Sequence, residues 1–367
     1  MIRKHLSSFS KIFSLALSVT LFLAGCLRLE SRQSEEVIRL GFFANVAHAP
    51  AIIGVERGDF EKSFAPLGVK VQPVLFSSGP AFIEAIYASR LDIAYVGPGP
   101  AINGYVRSGG SAIRVVSGCA ANGVAVVTRK DSEIRGWPDL AGKRVAIPAI
   151  GNTQFFSATY FLDRLTTNPD AKEKTVLMPV HLGDAALLLK KHQVDAAWLP
   201  EPWPAKLEIE DAMAIVGEER ELWPEGKFPS TLLVVRREFA AKHPEWVKRF
   251  IGIHETLCAE LSSETKHLAG ALADGIYKLS KTRISKHVVA RALDRITFTT
   301  DPLSQKIHRF YEMASVSGFL RRAQRVDLDG MFFEEELRFG PASRGFSAAS
   351  AGRLPSIASS VSGGESQ

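Results

Sequence analysis

The sequence predicts an α/β fold with mostly parallel sheets, and three observations lead to this prediction. Short apolar runs alternate with helical patterns from residue 37 to residue 210, as expected for repeated strand and helix units. Glycine and proline mark the turns between the runs. Hydrophobic residues make up 46% and charged residues 23% of the chain, a globular composition that excludes a disordered protein and a polytopic membrane protein.

Each predicted strand is a short apolar run bounded by turn residues. The predicted strands cover residues 37–43, 69–76, 91–96, 113–117, 124–129, 144–147, 180–182, 196–199 and 232–236. Each predicted helix begins at Pro, Thr or Asp, residues that are favoured where helices start. These helices cover residues 50–60, 80–90, 100–107, 153–165, 184–192 and 204–210.

From residue 244 the pattern changes to consecutive helices. They are predicted at roughly 244–261, 264–279, 285–294 and 302–317, with no strand between them. The end of the chain is rich in Ser, Gly and Ala without a repeat, so we expect residues 331–367 to be mostly disordered.

Length, charge and cysteine content narrow the class of protein further. The 367 residues suit two domains of roughly 150 residues each. The net charge is +6, but Arg3, Lys4 and Lys11 lie in the first 25 residues without an acid, so the remainder carries only +3 and no nucleic-acid partner is indicated. The three cysteines form no CxxC or zinc-ligand pattern. We therefore expect no metal and no cofactor.

The N-terminus has the pattern of an export signal. The basic residues precede an apolar run at 12–24, which is too short to cross a bilayer core of about 30 Å as a helix. The run ends in Leu23-Ala24-Gly25-Cys26, which resembles the lipobox of bacterial lipoproteins. This resemblance implies removal of residues 1–25, lipidation of Cys26 and a spacer at 26–36 on the outer face of a membrane. The alternative is an ordinary cleavable signal with an incidental cysteine.

The other two cysteines, Cys119 and Cys258, leave two possibilities open. In an oxidising compartment they can form one disulfide, and they can equally be buried free thiols.

Five turns between predicted strands and helices share an unusual composition. They read Asn45-Val46-Ala47-His48-Ala49-Pro50, Ser77-Ser78-Gly79-Pro80, Gly97-Pro98-Gly99-Pro100, Gly151-Asn152-Thr153-Gln154 and Pro200-Glu201-Pro202-Trp203-Pro204. Ligands of open α/β sheets bind beyond the carboxyl ends of the strands, where helix starts present unpaired N–H groups. Glycine lets a ligand approach the backbone closely. Several such turns facing one cleft would bind a small anion.

These turns contain no Lys or Arg, so neutral donors would hold the anion, which favours reversible binding. Their only titratable groups are His48 and Glu201, too few to support an enzyme. Each turn can also be ordinary helix capping, His48 a packed histidine and Trp203 a core residue. Glu201 would repel an anion unless it caps a helix, orients a neighbour or faces a positive part of the ligand.

Five passages, taken in order, resemble a known family. They are residues 41–51, 91–101, 139–146, 151–154 and 194–203, and they include Phe43-Ala44-Asn45-Val46-Ala47-His48-Ala49-Pro50, Tyr95-Val96-Gly97-Pro98-Gly99-Pro100 and Trp198-Leu199-Pro200-Glu201-Pro202-Trp203. The stretch is similar to the extracytoplasmic solute-binding proteins of nitrate, sulfonate, taurine and bicarbonate ABC importers. These proteins have the type II periplasmic-binding fold.

The resemblance implies two α/β lobes joined by two crossover strands, with a solute in the cleft between them. Lobe 1 would comprise residues 37–123 and 235–330, and lobe 2 with the hinge strands residues 124–234. The implied ligand contacts are Asn45, His48, Ser78, Gly79, Gly97, Pro98, Asn152, Thr153, Gln154, Glu201 and Trp203. The implied partners are an ABC permease with its ATPase subunits, and we expect the chain itself to be a monomer.

Departures from the family pattern favour one ligand class. Val46 and Ala47 replace polar residues, and Phe155 and Phe156 make the lobe 2 entrance more apolar, as does Trp203. We therefore expect an organic sulfonate or taurine rather than nitrate or bicarbonate. Two alternatives remain open: an enzyme on the same fold, similar to thiamin-pyrimidine synthases or dehydratases, and a sensor or scavenging lipoprotein.

Overall fold

The computed structural model describes residues 36–166, 170, 174–264, 267–320 and 326–332. The predicted signal, Cys26 and most of the spacer lie outside the described residues, as does the predicted tail beyond Phe332. In the described part of the chain, no helix is long and apolar enough to span a membrane.

The strands form two sheets. The strands, in chain order, are β1 (Glu36–Phe42), β2 (Val69–Leu75), β3 (Ile93–Val96), β4 (Ile113–Asn122), β5 (Val124–Thr128), β6 (Arg144–Ile147), β7 (Val176–Pro179), β8 (Ala196–Pro200), β9 (Ala214–Glu218), β10 (Pro229–Arg236) and β11 (Ile296–Phe298). The first sheet has the order β11-β4-β10-β3-β1-β2, and the second has the order β7-β6-β8-β5-β9.

Helices cover the faces of these sheets. They are α1 (Ala49–Arg57), α2 (Asp59–Phe64), α3 (Gly79–Tyr87), α4 (Pro98–Arg107), α5 (Thr153–Leu165), α6 (Ala185–Lys190), α7 (Trp203–Glu210), α8 (Arg237–Lys242), α9 (Pro244–Ser263), α10 (Ala269–Ser280), α11 (Lys286–Leu293) and α12 (Ser304–Val316). The predicted helix 50–60 is two helices, because Gly58 adopts a left-handed conformation with φ of 71° between α1 and α2.

The chain crosses twice between the sheets. Residues 36–122 and 229–332 build on the first sheet and are called the first lobe; residues 124–228 build on the second sheet and are called the second lobe. The outward crossing is at Gly123 and the return crossing is at Phe228. The crossings lie side by side, since Asn122 N donates to Phe228 O at 2.9 Å and Phe228 N donates to Asn122 Oδ1 at 3.3 Å.

The predicted strand direction and one strand boundary are wrong. The sheets are mixed rather than mostly parallel, because the strands next to the crossings, β4, β5 and β10, pair antiparallel with their neighbours. Strand β10 begins before the predicted residue 232 and pairs along its length with β4, so residues 229–234 belong to the first sheet.

The remaining differences concern short elements. In place of the predicted strand 180–182, residues 180 and 181 form a loop and Leu182 begins a short 3₁₀ helix; the strand is β7, just before them. Strands β9 and β11 were not predicted, and β11 interrupts the expected series of C-terminal helices. At the start of the predicted disordered tail, Met331 is fully buried and Phe332 forms a bridge with Val115.

Apolar packing on both sides of the sheets fixes the position of the strand ends. In β1, Ile38, Leu40 and Phe42 are completely buried, and in β8 Trp198 is completely buried. A buried apolar side chain stabilises the fold by about 1.5–3 kcal/mol. The loops at the carboxyl ends of the strands are thereby held on rigid elements that face one another.

Candidate functional site

A cleft of about 360 Å³ lies between the two lobes. It is lined by the turns that follow β1, β2, β3, β6, β7 and β8, by the crossing segments and by the loop between α10 and α11. The cleft thus occupies the position at the carboxyl ends of strands where α/β proteins bind ligands.

The structure brings most of the predicted contact residues to this cleft. The lining includes Asn45, His48, Gly79, Gly97, Asn152, Thr153, Gln154 and Trp203. It does not include Ser78, Pro98 or Glu201, although neighbours of each do line the cleft. Phe155 and Phe156 are not part of the lining either, because they pack against Phe319 at ring-centroid distances of 6.0 and 5.2 Å. Phe155 and Phe156 therefore add no apolar surface to the lining of the cleft, contrary to the prediction from the sequence.

The turn after β1 holds a neutral histidine. Asn45 caps the short helix Val46–His48 by accepting a hydrogen bond from Ala47 N at 2.9 Å. The His48 side chain is buried, and Nδ1 accepts from Phe43 N at 3.4 Å. Desolvation by burial lowers the pKa of His48 to about 3, so the ring is neutral at physiological pH. Because Nδ1 is an acceptor, the proton of the neutral ring is on Nε2.

The starts of α3, α4 and α5 meet directly across the two lobes. Gly99 N donates to Thr153 Oγ1 at 3.1 Å, and Gly79 N donates to Asn152 Oδ1 at 3.3 Å. We call these two hydrogen bonds the interlobe latch. A Cβ on Gly99 would lie 2.7 Å from Thr153 N, so glycine is required for this approach. Gly79 and Gly99 thus allow close approach of the second lobe, whereas the sequence predicted close approach of a ligand.

Glu201 is turned away from the cleft. It is completely buried, with Oε1 paired to Arg295 Nη1 at 2.8 Å and Oε2 accepting from Ala205 N at 3.1 Å in the first turn of α7. Burial raises the pKa of Glu201 to about 7, although Arg295 acts in the opposite direction. The carboxyl group therefore caps a helix and pairs with a cation, and its neighbours Pro200, Pro202 and Trp203 form the cleft wall.

Arg295, between α11 and β11, is the centre of a second set of interlobe contacts. It comes from the first lobe and pairs with Glu201, with Glu208 at 2.8 Å and with Glu218 at 3.2 Å, all in the second lobe. Only 3% of its side chain is exposed. Burial alone would lower the pKa of Arg295, but the carboxylates raise it above its ordinary value.

Other cleft residues were missed by the sequence analysis. They are chiefly Phe43, Phe76, Val180, His181, Leu182, Ser230, Thr231, Ser280, Thr282 and Ile284. The pairs Ser230–Thr231 and Ser280–Thr282 are not part of any turn motif. They line the cleft only because the tertiary structure brings them there. The only signal was their position at a predicted strand or helix end.

The chemistry available in the cleft is that of neutral donors and apolar walls. Among the described lining residues there are two histidines and no Lys, Arg, Asp or Glu. Within the described ranges no group of three His, Cys, Asp or Glu side chains is placed to hold a metal ion. Outside the cleft, Cys119 and Cys258 are both buried free thiols, one of the two states that the sequence left open.

Two α/β lobes, joined by two crossings and enclosing a cleft lined by helix starts, define the type II periplasmic-binding class of fold. Solved structures agree with this assignment of the fold. The periplasmic aliphatic sulphonate-binding protein of Escherichia coli superposes with a TM-score of 0.67 at 16% identity, covering 89% of this chain and 99% of that one. The nitrate-binding protein of Synechocystis superposes with a TM-score of 0.67 at 15% identity, covering 83% and 88%.

The chain belongs to the NMT1-like family, whose profile matches residues 31–269. Among curated proteins, it is 28% identical over 281 residues to a putative aliphatic sulfonates-binding protein of Bacillus subtilis, covering 71% of this chain and 80% of the relative. It is also 27% identical over 175 residues to the taurine-binding periplasmic protein of Escherichia coli, covering 48% and 52%.

Proposed function

We propose that this protein is the extracytoplasmic substrate-binding component of an ABC importer and that it captures a small organic anion, preferably a sulfonate, in the interlobe cleft. The observation that carries the proposal is the cleft itself, which combines neutral hydrogen-bond donors from both lobes with aromatic walls. The sulfonate-binding and taurine-binding relatives support the same function. These relatives are binding proteins, which favours capture over catalysis.

The walls and the volume favour an organic tail on the anion. Phe43 and Phe76 contribute aromatic surface from the first lobe, and Trp203 does so from the second. The volume of about 360 Å³ falls in the range of about 300–1,000 Å³ that is typical of sites for small organic molecules. Nitrate or bicarbonate would leave most of this space and the aromatic surface without a contact. The preference for a sulfonate thus depends on Phe43, Phe76 and Trp203.

Delivery to the permease follows from closure around the solute. A ligand that contacts both lobes stabilises the closed arrangement by its differential affinity for it. The permease and its ATPase subunits would recognise this arrangement, so the solute-binding protein can act as a monomer. Lipidation at Cys26, which lies outside the described residues, would keep the protein at the outer face of the membrane beside that permease.

Uptake measurements test the proposal. Cells that lack the chain should lose high-affinity uptake of labelled ethanesulfonate, and the wild-type chain should restore it. A chain carrying Trp203→Ala should restore it poorly because the aromatic wall is lost, whereas Trp246→Ala, outside the cleft, should restore it fully. Undiminished uptake in cells without the chain would contradict the proposal.

A further inference from the structure

Two of the helix starts that the sequence indicated as anion donors are already engaged. Gly79 N and Gly99 N, the amides at the starts of α3 and α4, donate to Asn152 and Thr153 of the opposite lobe in the interlobe latch. A bound anion would have to break these bonds to reach the amides. The donors for the anion are therefore to be sought elsewhere in the cleft wall.

Two adjacent hydroxyl groups in the wall have no partner. Ser230 Oγ and Thr231 Oγ1 are buried atoms without a hydrogen bond, and both residues line the cleft. The side chain of Thr231 is nine-tenths buried, since the residue is only 1% exposed. The described residues contain two other such atoms, on Asn103 and Arg129, and neither lines the cleft. A buried polar group without a partner costs about 1–3 kcal/mol, so an unpaired hydroxyl calls for a ligand or a water.

The local backbone explains why these hydroxyls lie in the wall. Ser230 and Thr231 are in β10, immediately after the return crossing, and the pairing of β10 with β4 shifts register on both sides of Thr231. Such bulges redirect side chains and are frequent next to binding sites. The carbonyl of Ser230 also lies 3.5 Å from a Cβ built on Gly97, which places the bulge against the start of α4.

A third donor faces the same cleft from the turn after β1. The short helix Val46–His48 packs against β10, and His48 is 4% exposed. Its Nδ1 accepts a hydrogen bond from Phe43 N, so the proton of the neutral ring is on Nε2. Imidazole N–H and hydroxyl groups are suitable neutral donors to an anionic oxygen.

We infer that the anionic headgroup of the ligand binds at a subsite formed by the hydroxyls of Ser230 and Thr231, next to the return crossing, and by Nε2–H of His48, and not at the starts of α3 and α4. This inference rests on the proposed function and specifies which part of the cleft recognises the charge. The hydrogen bonds that the two hydroxyls lack in the protein are completed by the headgroup oxygens. The organic tail then extends toward Trp203.

The test is calorimetric titration of ethanesulfonate into Thr231→Val and into the double variant Ser230→Ala/Thr231→Val. Each should bind ethanesulfonate at least about 10-fold more weakly than the wild type, because donors to a charged group are lost. Their melting temperatures without ligand should be unchanged or higher, because an unpaired buried hydroxyl has been removed.

The matched control is Thr128→Val. Thr128 is also a buried strand threonine, but its hydroxyl donates to Asp195 O at 2.8 Å and it does not line the cleft. This variant should melt at a lower temperature and bind ethanesulfonate as the wild type does. Thr231→Val should thus change affinity but not lower the melting temperature, and Thr128→Val should do the reverse. This contrast distinguishes a hydroxyl that binds the ligand from one that stabilises the fold.

Ethanesulfonate binding that is unchanged in Thr231→Val and in the double variant would overturn the inference and assign the hydroxyls to ordered water, while leaving the proposed function intact. If the wild-type protein binds none of ethanesulfonate, taurine, nitrate and bicarbonate, both the inference and the proposed function would be overturned. Nitrogen NMR of the His48 ring in the wild-type protein gives a second test that needs no substitution. The Nε2 signal should carry the proton and shift when ethanesulfonate is added, and an unprotonated Nε2 would contradict the subsite.

Discussion

At the scale of single residues, the role of a charged group depends on partners that are distant in sequence. Glu201 alone in a turn suggested a ligand contact, a cap or an orienting group. The structure assigns it to a cap and an ion pair through Arg295, which is 94 positions further along the chain. No local pattern connects the two residues, because the contact exists only once α11 packs against α7. The cap that Asn45 provides to the short helix Val46–His48 was easier to predict, because capping depends on residues that are close in sequence.

We predict that the Arg295 cluster contributes strongly to stability. In Arg295→Met, the buried Glu201 carboxyl loses its partner, so the free energy of unfolding should fall by about 3–5 kcal/mol. Denaturant titration measures this loss. Arg291→Met is the matched control, because Arg291 pairs with Glu208 at the surface and such pairs contribute about 1 kcal/mol or less. Adding Glu201→Gln to Arg295→Met should restore part of the loss, and equal effects of the two arginine variants would refute this account.

A second residue-scale prediction concerns pH. Glu219 is completely buried, and its hydrogen-bond donors among the described residues are neutral: Trp198 Nε1 at 2.7 Å, Trp223 Nε1 at 3.1 Å and Ser157 Oγ at 3.1 Å. Burial raises the pKa of Glu219 from 4.5 to about 7, so the folded state holds its proton more tightly than the unfolded state. This contribution to stability is complete below pH 4.5 and is lost as the pH rises to about 7.

Glu219→Gln should remove this contribution to the pH dependence. Glutamine imitates the protonated carboxyl and does not titrate. Between pH 4.5 and 7 the free energy of unfolding should therefore fall less in the variant than in the wild type, and the difference between the two losses should be at most about 3 kcal/mol. Urea denaturation at several pH values measures the difference. Glu201, with its pKa raised to about 7, contributes in the same direction, so a residual slope is expected. Identical slopes in wild type and variant would contradict the assignment.

At the scale of elements, long periodic segments were predictable and short edge strands were not. Helix α5 was predicted at its observed bounds because its periodicity and its Asn-Thr start agree. Strand β11 has three residues, too few to show alternation, and β9 includes Gly217, where a Cβ would lie 2.7 Å from the ring of Trp137. The antiparallel pairing of the strands next to the crossings was not predicted either. The direction of such a strand in its sheet depends on the lobe from which the chain enters that sheet, and this is not visible in the local sequence.

The meeting of α4 and α5 leads to an element-scale prediction. Gly99→Ala places a methyl group against the backbone of Thr153, so the lobes should not close fully and the affinity for ethanesulfonate should fall at least about 10-fold, which corresponds to 1.4 kcal/mol. Calorimetry measures this loss. Gly252→Ala in α9 is the control, since a Cβ there meets no atom within 4 Å and affinity should be unchanged. A Gly99→Ala variant that binds as tightly as the wild type would show that the latch is dispensable.

At the scale of the whole molecule, two sets of side-chain contacts connect the lobes in addition to the crossings. The interlobe latch joins helix starts at the cleft, and the Arg295 cluster joins α11 to the second lobe. A ligand that completes the unpaired hydroxyls of Ser230 and Thr231, in the first lobe, and also contacts Trp203, in the second, favours the arrangement of the lobes in which it touches both. The family resemblance predicted the two lobes, whereas these stabilising contacts required the structure.

The proposed lipid anchor at Cys26 leads to a prediction about where the protein is found in the cell. Cys26→Ser should release the protein from the membrane fraction and abolish labelling by fatty acid, because the acyl chains supply the membrane affinity. Fractionation of cells expressing the full chain measures the distribution. Cys119→Ser, a change at a buried thiol, is the control and should remain in the membrane fraction. A Cys26→Ser protein that still sediments with membranes would refute lipid anchoring at this residue.

The central claim is that the cleft captures an organic sulfonate, and calorimetric titration of the wild-type protein tests it most directly. Ethanesulfonate and taurine should bind with dissociation constants in the micromolar range or below, about −8 kcal/mol or more favourable. Nitrate and bicarbonate should bind at least about 10-fold more weakly, because neither fills the apolar part of the cleft. Tight binding of nitrate or bicarbonate, with weak or absent binding of both sulfonates, would contradict the claim.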